Sequence, residues 1–200
     1  QNKISPQQAP ELLLEGNKRF ITNQPATKNL TEEVKQSALG QYPFATILSC
    51  IDSRVSAELV FDQGIGDLFS IRIAGNFVNE DILGSMEFAT KLAGTKVVVV
   101  LGHTACGAVK GACDHAKLGN LTGMLEKIAP AVTAVTEPED AVLRTSSNID
   151  FVNRVAVKNV HMAIDNLRAM SPVLKEMEAA GDIKVVGAMY HIENGQVDFL

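Results

Sequence analysis

The sequence predicts an α/β fold with a mostly parallel central β-sheet flanked by helices, an N-terminal helical arm and a C-terminal antiparallel hairpin. Three observations support this fold class. Short apolar runs at 44–50, 68–73 and 96–101 are separated by segments with helical periodicity. The run 97–101 is apolar at every position, as expected of a strand covered on both faces. Near the end, Asn194-Gly195 separates two further strand patterns, and this dipeptide favours a tight hairpin turn.

Residues 1–40 predict a helical arm ahead of the core. Ser5-Pro6 indicates a helix start, because proline is favoured at the first helical position. Residues 9–20 carry leucine and phenylalanine at roughly helical spacing, and residues 32–39 predict a second, short helix. We expect this arm to pack on a neighbouring subunit or on the outside of the sheet.

Residues 41–200 predict the α/β core, and 200 residues with 46% hydrophobic content suffice for a single domain over 1–200. Ser56 is expected to cap the first core helix, and Phe88 is among the side chains expected to face the core from the second. The expected strands lie at 44–50, 68–73, 96–101, 183–191 and 196–200. The expected helices lie at 57–63, 80–92, 108–118, 122–135 and 140–181, the last broken near Ser171-Pro172.

Charge and composition exclude several classes of partner. The net charge is -5 with basic residues scattered along the chain, which argues against nucleic acid and anionic membranes as partners. The apolar runs are far shorter than the roughly 20 residues of a membrane-spanning helix. The sequence begins at Gln1 rather than methionine, which is compatible with a removed signal peptide; cytoplasm and periplasm both stay open as compartments.

The cysteines indicate metal binding rather than disulfides. There are three, an odd number, and His103 and Cys106 stand three residues apart where an apolar strand gives way to a helix. Such strand-to-helix turns are where open α/β sheets place ligands. A third ligand, Cys50, ends an earlier apolar run. Together they form a Cys₂His set, which holds catalytic zinc with a fourth position left open.

Two charged residues follow the first of these cysteines. If the chain stays extended there, the side chains of Cys50, Asp52 and Arg54 point to one side. The planar guanidinium of Arg54 is suited to a bidentate pair with a carboxylate such as that of Asp52.

Cys50-x-Asp52-x-Arg54 followed by His103-x-x-Cys106 resembles the signature of the β-class carbonic anhydrases. The likeness extends to Arg72 with Ala74-Gly75-Asn76 and to the glycines that flank the second motif. The resemblance implies reversible hydration of carbon dioxide to bicarbonate and a proton. One zinc ion per chain would be held by the Cys₂His set, and zinc-bound hydroxide would attack, oriented by the Asp52/Arg54 pair. In a closed state of such enzymes, this aspartate becomes the fourth ligand.

The same resemblance implies a substrate pocket and an oligomer. The substrate-binding positions it assigns are Gln41, Phe69, Ala74, Phe88 and Gly107. Ala74 and Phe88 stand where many plant-like members carry valine and tyrosine. Such enzymes are usually homodimers or homotetramers with active sites at the subunit interface, and the N-terminal arm suits such an interface.

Other functions stay open at this stage. A carbon disulfide or carbonyl sulfide hydrolase would use the same scaffold and the same zinc chemistry. A thiolate redox-sensing or nucleotide-binding α/β module is the alternative from a different class. Without the combined motif, the two cysteines and the histidine would be read as buried packing residues. Cys113 is expected to fill the core, and Gly64-x-Gly66 to form a turn rather than a phosphate loop.

Overall fold

A computed structural model describes residues 4–200. Residues 1–3, which include Gln1 and the beginning of the expected arm, lie outside the described residues. Within 4–200, five strands form one sheet in the order β2-β1-β3-β4-β5, in which only the β4–β5 pair is antiparallel. This confirms the predicted fold class. The strands are β1 (Ala45–Ser49), β2 (Leu68–Arg72), β3 (Val97–His103), β4 (Lys184–Tyr190) and β5 (Val197–Phe199).

Helices cover both faces of this sheet. Of the helices in the described part of the chain, none has the length and hydrophobicity that a bilayer crossing requires. A single π-helical turn (Phe88–Leu92) continues the helix Glu80–Glu87, and a short 3₁₀ turn (Ala141–Leu143) precedes the helix Ile149–Met170. The α-helices are α1 (Gln8–Ile21), α2 (Leu30–Ser37), α3 (Ala57–Val60), α4 (Glu80–Glu87), α5 (Gly107–Cys113), α6 (Gly119–Leu125), α7 (Ala129–Ala134), α8 (Ile149–Met170) and α9 (Pro172–Ala179).

Strand β3 is the centre of the core. It is buried at every position, and its side chains alternate between two apolar layers. Val98 and Val100 face a layer that includes residues of α5, α7 and α8. Val97, Val99 and Leu101 face a second layer that includes residues of α1 and α3. The uninterrupted apolar run is therefore explained by burial on both sides, as the sequence predicted.

Helix α1 packs on the second of these layers, outside the sheet of its own chain. The approach is so close that a Cβ on Gly16 would lie 1.8 Å from the carbonyl oxygen of Phe61. The buried side chain of Asn17 donates to the Val60 carbonyl (3.0 Å) and accepts from the Val197 N–H group (2.9 Å). The arm thus contacts both the α3 region and the C-terminal hairpin.

A buried carboxylate adds to this attachment. Asp62 accepts from Arg19 of α1 (2.6 Å), from Lys28 and from the Ala26 N–H group (2.9 Å). Burial alone would raise the pKa of the Asp62 carboxyl, but the hydrogen bonds from these three donors outweigh it and hold the pKa at about 2. Asp62 is therefore ionised at neutral pH and ties the arm to the end of α3.

Several helix bounds differ from those the sequence predicts. The helix expected at 122–135 is two helices, because Pro130 lies in the first turn of a new helix, where its missing N–H group costs nothing. The helix expected from residue 140 begins at Ile149, where the side chain of Asn148 accepts from the Phe151 N–H group as an N-cap. Ser56 makes no capping hydrogen bond, and α3 ends at Val60.

The orientation predicted for Phe88 is also wrong. Its side chain is 50% exposed, whereas Met86 and Ala89 are buried. Phe88 follows Met86 by two residues, which is about 200° around a helix of 3.6 residues per turn. A helix that buries Met86 therefore turns Phe88 toward solvent.

Candidate metal centre

The three candidate ligands come from the ends of two neighbouring strands. β1 and β3 are parallel and paired with Ser49 opposite Leu101, so the residues that follow both strands emerge at the same edge of the sheet. Cys50 leaves β1 there, and His103 is the last residue of β3. A tight turn through Ala105, whose φ is +52°, then brings Cys106 back to the N-terminus of α5.

The side chains of Cys50, His103 and Cys106 converge at this edge. Their ligand atoms lie within 4.8 Å of one another, and all three residues are buried. The two sulfurs are 3.9 Å apart, far more than the roughly 2.05 Å of a disulfide. Two sulfurs bound tetrahedrally to one zinc ion at about 2.3 Å would be about 3.8 Å apart. The separation therefore fits two ligands of a single metal ion.

The histidine in this group has a free nitrogen lone pair. His103 is completely buried, and its Nδ1 lies 2.9 Å from the carbonyl oxygen of Thr104, which can only accept. Nδ1 therefore carries the proton, and the lone pair is on Nε2. Nε2 has no hydrogen-bond partner within residues 4–200. A buried acceptor without a partner beside two thiols is unfavourable, and a metal ion would satisfy it.

The two thiols differ in acidity. The pKa of Cys50 is held well below that of an ordinary thiol, chiefly by the hydrogen bond from Cys106, with a further hydrogen bond from the Gly75 N–H group (3.4 Å). The same contact with Cys50, together with burial, raises the pKa of Cys106. A thiolate and a thiol thus share one proton, which a divalent cation would displace.

Asp52 and Arg54 lie beside the three ligands, though not on an extended chain. The Val55 N–H group donates to the Asp52 carbonyl (2.9 Å), so residues 52–55 form a turn and the assumption of extended backbone is wrong. The turn nevertheless places the guanidinium on the carboxylate, and the Asp52 Oδ2 atom lies 3.9 Å from His103 Nε2. The hydrogen bond from Arg54 lowers the pKa of Asp52 far below its usual range, so this carboxylate is ionised.

Comparisons with known proteins identify the family. A family model described as carbonic anhydrase matches residues 45–197. Carbonic anhydrase 2 of Mycobacterium tuberculosis is 34% identical over 198 residues, which is 96% of this chain and 91% of that protein. The carbonic anhydrase of Mycolicibacterium smegmatis is 32% identical over 200 residues, 97% of this chain and 93% of that protein. The structure of the β-carbonic anhydrase CafA of Aspergillus fumigatus superposes with a TM-score of 0.72 at 30% identity, over 85% of this chain and 81% of CafA.

The chain belongs to the β-carbonic anhydrase family. Its enzyme class, carbonic anhydrase, is the one that the two motifs predicted. Members of this family are metalloenzymes, and the convergent Cys50, His103 and Cys106 side chains are a group that could hold a metal ion.

The residues that the sequence assigned to the substrate pocket of a β-carbonic anhydrase fall into two groups. Ala74 and Gly107 adjoin the metal centre, next to Gly75 and Cys106. Phe69 does not, because it pairs with Thr46, four residues before Cys50, or about 13 Å along the strand. Phe69 stacks edge-to-face on Phe88 with ring centroids 6.2 Å apart.

These two rings line an open groove of about 820 Å³ between β2 and α4, and the three candidate metal ligands are not among its lining residues. Gln41 is still farther away. It precedes β1, whereas Cys50 follows it, so the two residues lie at opposite edges of the sheet. Gln41 lines a separate depression of about 500 Å³ together with Tyr42 and Asp67. One chain alone thus brings Ala74 and Gly107, but not Gln41, Phe69 or Phe88, to the metal centre.

Sequence patterns did not reveal several residues that support the ligands. Asn159 of α8 is buried and donates to the Gly75 carbonyl (2.7 Å), and the Gly75 N–H group donates to Cys50. The sequence does contain a sign of the role of Asn159, because this polar residue lies between Ala156 and Val160 on the apolar face of a helix. Its partner, about 80 residues earlier in the chain, could not be inferred from that pattern.

Proposed function

We propose that the chain hydrates carbon dioxide reversibly to bicarbonate and a proton, with one zinc ion per chain held by Cys50, His103 and Cys106. The observation that carries this proposal is the Nε2 atom of His103, which has no hydrogen-bond partner among the described residues and is fully buried beside two sulfurs that are 3.9 Å apart. Two cysteines and one histidine are a ligand set of catalytic zinc, which leaves a fourth position for water or substrate. Membership of the β-carbonic anhydrase family supports this substrate.

When bound, zinc lowers the pKa of a coordinated water, so that a hydroxide nucleophile becomes available near neutral pH. The chain's own residues prepare for this chemistry. Both thiol groups and the neutral imidazole present lone pairs toward one point. The Gly75 N–H group and the Cys50 sulfur are fixed relative to one another by a 3.4 Å hydrogen bond, which reduces movement of the ligand.

We infer that Asp52 orients the nucleophile and that Arg54 keeps it in that role. Both carboxylate oxygens of Asp52 accept from Arg54, and the carboxylate lies outside the group formed by the two sulfurs and the imidazole. Once a metal ion is bound, an ionised carboxylate in this place would accept a hydrogen bond from the reacting water and so orient that water. Released from Arg54, the same carboxylate would be free to occupy the fourth position itself.

We further propose that the enzyme is a homodimer or homotetramer in which a second copy of the chain completes each substrate pocket. Phe69 and Phe88 line an open groove at β2, the edge strand of the sheet, and Phe88 is 50% exposed. Tyr42, next to Gln41, is 70% exposed. Large apolar side chains on an open sheet edge favour association with another chain. Association would bring these residues toward the metal centre of the partner.

Metal analysis combined with stopped-flow carbon dioxide hydration tests the proposed function. The purified chain should contain about one zinc ion and should catalyse hydration. Cys106→Ala should lose both the metal and the activity. Cys113→Ala is the matched control, because Cys113 is buried in the same apolar layer but is not among the three convergent side chains. A wild-type chain without zinc, or a Cys106→Ala variant with full activity, would contradict the proposal.

A further inference from the structure

Thr104 is fixed by the segment that joins β4 to β5. Its N–H group donates to the Tyr190 carbonyl (3.0 Å), and its hydroxyl donates to Glu193 Oε2 (2.7 Å) while accepting from the Ile192 N–H group (3.0 Å). Its carbonyl accepts the Nδ1 proton of His103 (2.9 Å). Three of the four hydrogen bonds of Thr104 therefore lead to residues 190–193, and the fourth leads to the proposed metal ligand.

The direction of the Thr104 carbonyl sets the direction of the imidazole. This carbonyl belongs to the same peptide group as the Ala105 N–H, which donates to Asn153 Oδ1 of α8 (2.8 Å). The peptide group itself is thus held by α8, while the N–H group and the hydroxyl of Thr104 are held by the β4–β5 connection. The backbone at Ala105 is left-handed, which an L-residue adopts only when its surroundings enforce it. Because the carbonyl cannot turn freely, the Nε2 lone pair stays directed at the two sulfurs.

We propose that Glu193 is a positioning residue, which holds the His103 ring for metal binding through the hydroxyl of Thr104. This inference rests on the proposed metal site. Glu193 is exposed at the hairpin, while Thr104 is only 6% exposed, so an ionic acceptor at the surface fixes a buried hydroxyl. Hydrogen bonds to a charged acceptor are stronger than those between neutral groups. Partners of this kind, one step removed from a metal ligand, typically change metal affinity by 10- to 100-fold.

The same hairpin provides a matched control. Asp198 of β5 also accepts two side-chain hydrogen bonds, from His191 (2.9 Å) and from Gln196 (2.7 Å), but it makes none with Thr104. Replacing Asp198 therefore perturbs the hairpin without releasing the Thr104 hydroxyl. If Glu193 only stabilises the hairpin, replacing Glu193 or Asp198 should have a similar effect on zinc affinity. If Glu193 positions His103, only the replacement of Glu193 should weaken zinc binding.

The test measures zinc affinity of the full chain by competition with a chromophoric chelator, and the absorption of the cobalt-substituted protein. Glu193→Ala and Thr104→Val should each weaken zinc binding by about 10- to 100-fold and alter the thiolate-to-cobalt absorption bands. The double variant should lose little more zinc affinity than Thr104→Val alone, since that variant already removes the hydrogen bond to Glu193 together with the one from the Ile192 N–H group. Glu193→Gln and Thr104→Ser, which keep an acceptor and a donor, should stay within about threefold of wild type, and so should Asp198→Ala.

Wild-type zinc affinity and cobalt absorption in Glu193→Ala would overturn the proposal, even if its thermal stability fell. An equal loss in Asp198→Ala would overturn it as well, because the effect would then belong to the hairpin. If Thr104→Val does not fold, the comparison of Glu193→Ala with Glu193→Gln decides alone. These outcomes are distinct from failure of the proposed function, in which the wild-type chain itself would bind no zinc.

Discussion

Arg54 holds both oxygens of the Asp52 carboxylate, with Nε 2.9 Å from Oδ1 and a terminal guanidinium nitrogen 2.7 Å from Oδ2. We expect Arg54→Ala to release the carboxylate toward the metal and to lower kcat/KM by on the order of 10- to 100-fold. Arg54→Lys should recover only part of this loss, because an ammonium group cannot make the bidentate pair. Stopped-flow hydration assays measure both effects. Wild-type kcat/KM in Arg54→Ala would show that Arg54 does not keep Asp52 off the metal.

The proposed division of the substrate pocket between two chains predicts complementation. Gln41→Ala and Cys106→Ala should each be strongly impaired alone, since one removes a pocket residue and the other a metal ligand. When equal amounts of the two variants are folded together and assemble at random, half of the dimers contain one copy of each variant. Each of these dimers has one complete site out of two, so about a quarter of all sites should be active. Hydration activity of the co-folded mixture measures this recovery.

The control for complementation pairs two pocket variants. Gln41→Ala mixed with Phe69→Ala should show no recovery, because every site then lacks one of the two residues. If Gln41→Ala and Cys106→Ala do not rescue one another, while both fold and exchange subunits, Gln41 does not act in the partner's site.

The Asp62 carboxylate predicts an acid-labile contribution to stability. Its pKa in the folded chain is about 2, below the roughly 3.9 of an unfolded aspartate, so its stabilisation is fully present above about pH 4. This contribution should amount to about 2–3 kcal/mol, and most of it should be lost as the pH falls from about 4 to about 2. Urea denaturation at several pH values should show a smaller pH dependence in Asp62→Asn than in wild type. If the free energy of unfolding of Asp62→Asn varied with pH between 4 and 2 as steeply as that of wild type, the Arg19 and Lys28 contacts would contribute little to stability.

The contact of α1 with the α3 region predicts a position-specific effect of glycine replacement. Gly16→Ala would place a methyl group 1.8 Å from the Phe61 carbonyl oxygen, so either α1 or the backbone at Phe61 must move. We expect a loss of roughly 1–3 kcal/mol in the free energy of unfolding by urea. Gly123→Ala, in α6 with no atom of residues 4–200 within 4 Å of the added methyl, should instead gain up to about 1 kcal/mol. Equal effects of the two variants would disprove the close packing of α1.

The strands and the convergence of the three metal-binding candidates were predictable from the sequence, because their signals are local. The apolar run at 97–101 indicates a buried parallel strand without knowledge of its neighbours. The carboxyl ends of neighbouring parallel strands share one edge, which places Cys50 near His103 once both strands are identified. Their convergence, now seen in the structure, needed no information about helix packing.

What could not be predicted depends on contacts between distant segments. The hydrogen bonds of Thr104 with Glu193 and of Asn159 with Gly75 join residues more than 80 positions apart, and each residue alone is an ordinary polar side chain. The start of α8 was missed for a different reason. Residues 140–148 contain good helix formers, but Asn148 caps the helix that follows, and this competing local signal decides where the helix begins.

The pairing of β1 with β3 has a consequence for how the protein matures. A slip of one residue in the register of Ser49 and Leu101 would turn Cys50 to the opposite face of the sheet. A misaligned chain would then lack one of the sulfurs that a divalent ion requires, so it would remain empty while correctly aligned chains are loaded. Metal binding would therefore distinguish chains with the correct β1–β3 register from chains in which this register has slipped. The loaded fraction of a preparation would then count the molecules in which those two strands have found their proper alignment.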